Sequence, residues 1–114
     1  MKLKLIISLV KPATTDRVVK AAKDAGATGA TIIPARGTGV HEAKTFFGLT
    51  LETQTDAVLL LLEENLSGKV IEAVRKAGRF ERPGTGIAFV IDVETAVGLE
   101  SQVGYFEQSA DKPE

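Results

Sequence analysis

Four apolar runs along the chain predict β-strands. Residues 3–10 (LKLIISLV), 56–62 (DAVLLLL) and 87–93 (IAFVIDV) are short and rich in Leu, Ile and Val. A fourth β-rich run spans 27–37 and contains Pro34, which places that part of the chain at a sheet edge or a strand end. The pattern therefore predicts four strands.

Two amphipathic segments between these runs predict helices. Their sequences resemble each other: KAAKDAG (20–26) and EAVRKAG (72–78) share alanines, a basic residue and a closing glycine. The glycines, Gly26 and Gly78, are typical of helix C-termini. The predicted N-caps are Thr14 or Thr15 for the first helix and Asn65 or Ser67 for the second.

The order of these elements is β-α-β-β-α-β, which predicts an α+β ferredoxin-like fold with a four-stranded antiparallel sheet. The hairpin expected between the second and third strands is replaced by the long stretch 38–55, and loops of that length are uncommon unless functional or disordered. We therefore expect one domain over 1–97 with a functional loop, followed by a polar, partly disordered tail over 98–114.

The third strand also predicts assembly. VLLLL (58–62) does not alternate with polar residues, so both faces of the strand favour burial. Two helices can cover only one face of the sheet, and an identical subunit is the simplest cover for the other. The alternative is that Val103, Tyr105 and Phe106 of the tail fold back onto it.

Composition excludes several classes of function. The formal charge is −1, so no basic field predicts a nucleic-acid partner. The absence of cysteine excludes disulfides, thiol catalysis and thiolate metal ligation, and it fits a cytoplasmic location. The N-terminal MKLKLIISLV lacks a small-residue cleavage site and is better read as a strand than as a signal peptide. No run has the roughly 18 apolar residues that membrane insertion requires.

Four segments, in this order and spacing, resemble the PII signal-transduction protein family. They are Lys11-Pro12, AGATGATIIPARGTG (25–39), SGKVIEAVRKAG (67–78) and PGTGIAFVIDVETAV (83–97). The resemblance implies a non-enzymatic regulator of nitrogen or carbon metabolism. It also implies a homotrimer with inward-facing sheets, ligand clefts between subunits and protruding T-loops that contact target proteins, such as a membrane transporter or a metabolic enzyme.

The resemblance further implies an adenine-nucleotide site built from two glycine turns and the sheet. The matching residues are Thr31, Gly37, Thr38, Gly39, Leu61, Gly84, Thr85 and Gly86. Backbone N–H groups of such turns can bind anionic oxygens. The alternative is that each glycine only serves a turn that needs a positive φ.

Positions where the family carries cations differ in this chain. They are occupied by Thr55, Ile87, Gly98 and Glu100. Without charge-assisted hydrogen bonds a triphosphate binds less well, so ADP, AMP or a small anion such as bicarbonate suits the cleft better than ATP. Arg36, Arg79 and Arg82 are candidate substitutes for one phosphate; alternatively, they are ordinary solvated surface residues.

The loop departs from the family as well. It contains no tyrosine or serine, so uridylylation and serine phosphorylation have no acceptor there. His41 replaces a glutamine that helps to hold a metal and a 2-oxo acid, and with Glu42 it is a candidate metal ligand. Phe46 and Phe47 are candidate partner contacts, because aromatic residues are enriched as interface anchors; alternatively, they pack against their own trimer.

Two other functions remain open at the level of the sequence. One is a small ferredoxin-like enzyme, for which His41 would be the single base active at neutral pH, although a loop is a poor platform for catalysis. The other is a passive protein-binding trimer that has no effector.

Overall fold

The computed structural model describes residues 2–36 and 54–99. The elements in chain order are β1 (Leu3–Val10), α1 (Pro12–Asp24), β2 (Thr31–Arg36), β3 (Gln54–Glu63), α2 (Glu64–Gly78) and β4 (Gly86–Val93). This is the predicted β-α-β-β-α-β order. No helix in the described ranges is long and apolar enough to cross a membrane.

The strands form one antiparallel sheet in the order β2-β3-β1-β4. The two central strands are β1 and β3, in which Leu5 pairs with Leu61 and Ile6 with Leu60. Pro34 lies on β2, an edge strand, as the sequence predicted. An edge position suits proline because it has no N–H to donate to a neighbouring strand.

The core lies between one face of the sheet and the two helices. Alternate residues of the central strands point into it, and Ile6, Val58 and Leu60 have no exposed surface. The helices contribute the buried residues Val18, Ala22, Val70 and Val74. This one-sided burial is the main source of stability in the described part of the chain, because hydrophobic stabilisation scales with the apolar area removed from water.

The opposite face of the sheet, which we call the helix-free face, is apolar and only partly covered. Leu59 and Leu61 of β3 are half-buried there, in contrast to Leu60 between them. On the edge strands, Ile33 is 46% exposed and Phe89 40% exposed. The third strand therefore alternates between a fully buried side and an incompletely covered side. The candidate cover residues Val103, Tyr105 and Phe106 lie outside the described residues.

The predicted N-cap of α1 is wrong by three or four residues. The helix begins at Pro12 with Lys11 as N-cap, and no side chain caps it. Proline suits this first position because its φ is helical and the N–H that it lacks would have no partner within the helix. The Thr14 hydroxyl instead donates to the Lys11 carbonyl at 2.9 Å, and the Thr15 hydroxyl donates to Asp56 Oδ2 at 2.6 Å.

The predicted N-cap of α2 is also wrong, because β3 runs into this helix without a loop. The N-cap is Glu63, and the Glu64 N–H donates to the Lys2 carbonyl over 2.9 Å. This carbonyl, beside the start of β1, takes the place of a capping side chain. Ser67 lies inside the helix and donates to the Glu64 carbonyl.

Gly78 has a packing role at the end of α2. A Cβ at this position would lie 2.2 Å from Cε1 of Phe80, and a Cβ at Gly86 would lie 2.7 Å from the same atom. The Phe80 ring therefore packs over both glycines, and it joins the end of α2 to the start of β4.

We expect Gly78→Ala to lower the free energy of unfolding by about 1–3 kcal/mol, because the added methyl group overlaps the Phe80 ring. In a Phe80→Ala background the same change should have no destabilising effect. The control is Gly68→Ala in the same helix, where the new methyl group meets nothing within 4 Å; it should stabilise the protein by up to about 1 kcal/mol. Denaturant unfolding at one protein concentration measures all of these variants, and an equal effect of Gly78→Ala in both backgrounds would contradict this role of Phe80.

Candidate functional site

Several predicted site residues lie at one end of the sheet. β1 and β2 end there, at Val10 and Arg36, and β3 and β4 begin there, at Gln54 and Gly86. The turn 79–85, between α2 and β4, also leads into this end. The described chain stops at Arg36 and resumes at Gln54, and both residues lie at this end of the sheet.

The turn 79–85 is held closed by its own residues. The Thr85 hydroxyl lies 2.8 Å from the Arg79 carbonyl oxygen and 2.9 Å from that of Arg82, and it donates its single proton to this pair. Gly84 has a φ of +81°, which favours glycine. A side chain at Gly86 would also lie 2.8 Å from the Leu9 carbonyl oxygen. The conformation of the turn is thus sufficient to explain both glycines and the threonine.

Thr31 and Leu61, from the other half of the predicted site, lie together on the helix-free face. They line a groove of about 470 Å³ whose other lining residues are Leu5, Thr28, Gly29, Ala30 and Leu59. Thr31 pairs with Leu59, and Leu61 follows two residues later on the same face. The groove has apolar leucine walls, with threonines at one side. Such a surface suits a flat, largely apolar group better than a charged one.

The two halves of the predicted site do not meet within one chain. Gly86 pairs with Val10 on the β4 edge, whereas Thr31 lies on β2, the opposite edge of the sheet. Three strand spacings separate these edges, or about 14 Å. Arg36 lies at the same end of the sheet as Gly86 but on the β2 edge. Within one chain, a ligand would have to span the width of the sheet to contact both halves.

Two of the positions where the resemblance implies cations, Ile87 and Thr55, lie in strands of the sheet. Ile87 is half-buried and pairs with Leu9, and Thr55 is 7% exposed. Gly98 has a φ of +93°. The predicted residues Gly37, Thr38, Gly39, His41, Phe46 and Phe47, together with Glu100, lie outside the described residues. Within the described ranges, no group of three potential ligand side chains could hold a metal ion.

The sequence analysis missed an arginine of α2 that reaches the turn. Arg75 Nε donates to Glu72 Oε2 at 3.1 Å, and Arg75 Nη1 lies 3.7 Å from Glu81 Oε1. The hydrogen bond from Arg75 lowers the pKa of the Glu72 carboxyl, and the same bond raises the pKa of Arg75. The i, i+3 spacing of Glu72 and Arg75 indicated their pairing, but the contact with Glu81 depends on how the turn folds back.

Comparison with known proteins gives one family. Residues 3–102 match the family model described as nitrogen regulatory protein P-II. Curated relatives with that name include those of Mesorhizobium japonicum, 30% identical, and Rhodospirillum rubrum, 29% identical. Each alignment spans 104 residues and covers 87% of this chain and 93% of the relative.

Two solved structures have a similar fold. A PII-like signaling protein of Thermus thermophilus is 26% identical, with a TM-score of 0.61, over 82% of this chain and 87% of its own. The PII protein of Arabidopsis thaliana, solved bound to citrate, is 23% identical, with a TM-score of 0.64, over 81% of this chain and 78% of its own. The predicted ferredoxin-like fold is therefore confirmed.

We expect Thr85→Val to loosen the turn, because the Arg79 and Arg82 carbonyls lose their hydroxyl donor. The free energy of unfolding should fall by about 1 kcal/mol, and trypsin should cleave after Arg79 more rapidly. Thr85→Ser keeps the hydroxyl and should behave like the parent. The control is Thr95→Val, which changes an exposed threonine outside the turn and should also behave like the parent. A Thr85→Ser variant as labile as Thr85→Val would show that the methyl group, and not the hydrogen bond, holds the turn.

Proposed function

This chain belongs to the nitrogen regulatory protein P-II family, and we propose that it senses a small effector between identical subunits and thereby controls a partner protein. Proteins of this family are signal-transduction regulators and not enzymes. They are typically trimers that bind target proteins, and they bind adenine nucleotides and other effectors. The effector, the assembly and the partner of this chain are proposals.

The separation of the two half-sites supports a cleft between subunits. The groove beside Thr31 and Leu61 lies on the helix-free face over β2, β3 and β1, and the turn that ends at Gly86 lies at the start of β4. Packing the helix-free faces of three chains together would cover Ile33 and Phe89 and bring opposite edges of neighbouring sheets near each other. The same contact would thus bury apolar surface and complete the site.

The residues of the two half-sites favour an effector with few negative charges. The groove is apolar apart from its threonines and glycine, and Thr55 and Ile87 supply no charge. A triphosphate would be desolvated with few charged partners, which is unfavourable. We therefore propose AMP or ADP, or a small anion such as bicarbonate, as the effector in preference to ATP.

We further propose that the effector acts on the partner through residues 38–55. Residues 37–53 join β2 to β3 at the end of the sheet that carries the turn 79–85, and the last two residues of the segment, Gln54 and Thr55, are the first of β3. Its Phe46 and Phe47 would anchor the partner, which we propose to be a membrane transporter or a metabolic enzyme. His41 would contribute to binding of a divalent metal if the effector brings one. The proposed location is the cytoplasm.

Calorimetric titration of the purified chain tests the effector. The panel is ATP, ADP, AMP, cyclic AMP and bicarbonate, each with and without Mg²⁺. We expect one site per chain, with AMP or ADP bound more tightly than ATP, because the cleft has few cations to balance three phosphates. No heat from any member of the panel would overturn the sensor function and favour a passive protein-binding trimer.

Phe89→Lys tests the role of the helix-free face. Phe89 pairs with Ile7 on that face, so a lysine there should oppose packing of a second chain. We expect light scattering to give three times the 12.1 kDa chain mass for the parent and one chain mass for the variant. The variant should also bind the effector at least tenfold more weakly.

The control for this variant is Val97→Lys, at a residue that is 86% exposed outside the sheet. It should leave both the mass and the affinity unchanged. A monomeric Phe89→Lys variant with the affinity of the parent would place the effector within a single chain and contradict the proposed cleft.

A further inference from the structure

The carbonyl group of Ala77, in the last turn of α2, receives its hydrogen bond from the other helix. Arg17 of α1 donates from Nε to the Ala77 carbonyl oxygen over 2.7 Å. The backbone N–H groups of the two residues that follow α2 donate to earlier carbonyls of that helix. Arg17 therefore satisfies one of the carbonyls that a helix leaves without a partner at its C-terminus, and its positive charge is favourable at that end of the helix.

Two residues earlier in α1, Thr15 makes a side-chain bond to the sheet. Its hydroxyl donates to Oδ2 of Asp56 over 2.6 Å, and Thr15 itself is only 4% exposed. A hydrogen bond to a carboxylate is stronger than one between neutral groups. Asp56 lies near the start of β3, where it pairs with Val10 of β1. Thr15 thus joins α1 to the residues with which β3 begins.

The beginning of α1 therefore bridges two parts of the candidate site. On one side, Ala77 is followed by Gly78 and the turn 79–85; on the other, Asp56 lies two residues after Gln54, with which β3 begins. Because both bonds come from neighbouring residues of one helix, a displacement at the end of α2 can reach the start of β3 through packed and hydrogen-bonded groups. A second connection runs through β1, where Val10 pairs with both Asp56 and Gly86.

We propose that Thr15 and Arg17 are positioning residues that couple the turn 79–85 to the start of β3 through α1. Neither side chain contacts the effector. The inference rests on the proposed effector site and adds the route by which its occupancy reaches residues 54–57, which follow the segment 37–53. An effector that orders the turn would order the end of α2 and, through the two side-chain bonds, the start of β3. By linkage, the same coupling free energy would favour effector binding.

Amide hydrogen exchange of the full chain, with and without a saturating ligand, tests this coupling. The ligand is the member of the calorimetric panel (AMP, ADP, ATP, cyclic AMP or bicarbonate) that binds the parent most tightly. In the parent it should slow exchange at least about threefold in both 79–86 and 54–57. Arg17→Met keeps the apolar stem but removes the donor; it should preserve the slowing in 79–86 and lose most of it in 54–57. Its affinity should fall by roughly five- to tenfold, because the coupling is lost but the ligand contacts remain.

Thr15→Val removes the other bond and should give the same result. If the two bonds act in series, the double variant should lose no more of the slowing in 54–57 than either single variant loses. Losses that add in the double variant would show that the two side chains act independently, and they would contradict a single route through α1.

Three further variants separate coupling from folding. Thr15→Ser and Arg17→Lys each keep a donor and should retain at least half of the slowing that the parent shows in 54–57. Lys23→Met removes an exposed charge from the same helix without changing either bond, and it should behave like the parent. In every variant, exchange of residues 3–8 of the central strand β1 without ligand should match that of the parent, which shows that the core is intact.

The failure of this inference differs from the failure of the proposed function. Undiminished slowing in 54–57 of Arg17→Met and Thr15→Val would overturn it and assign the coupling to the strand pairs of Val10. A parent that binds the ligand without slower exchange in 54–57 would also overturn it, although the effector site would stand. If no member of the panel binds the parent, the proposed function fails and this inference fails with it.

Discussion

Burial of a single face of the sheet governs the rest of this structure. Ile6 and Leu60 pair across the two central strands and are fully buried beneath the helices. Two helices cannot cover four strands completely, so Ile32 and Val90, on the helix side of the edge strands, remain 43% and 37% exposed. The other face has no cover from any described helix. The stable core is therefore narrow, and it leaves apolar surface on both edges and on one whole face.

In the proposed trimer, this incomplete burial would connect assembly to effector binding. The surface that needs cover includes Phe89 and the leucines of β3, and the apolar groove beside Thr31 opens on the same face. The glycine turn that ends at Gly86 lies on the far edge of the sheet. Association of chains would satisfy the hydrophobic surface and bring two incomplete half-sites together. In this arrangement effector binding would require the assembled state and would in turn stabilise it.

Side-chain packing and one hydroxyl group determine the conformation of the turn 79–85. Phe80 packs over Gly78 and Gly86, and Thr85 ties the backbone closed. Arg75 lies 3.7 Å from Glu81 of the turn. The side chains that determine the conformation are thus separate from those of Arg79 and Arg82, which are exposed. The separation allows either arginine to be replaced without removal of a residue that stabilises the turn.

The sequence by itself determined the four strands, the two helices and their order, because apolar runs and helical periodicity reflect which residues must leave water. It did not determine the start of α2, where the carbonyl of the distant Lys2 caps Glu64. Nor did local pattern reveal that Gly78 makes room for Phe80, or that Arg79, and not a glycine, takes the left-handed conformation. Motif matching could nominate the site residues, but only the sheet order separated them into two half-sites. Periodicity records the burial preference of each residue, whereas pairing and packing depend on residues distant in sequence, and these were decided by the tertiary structure alone.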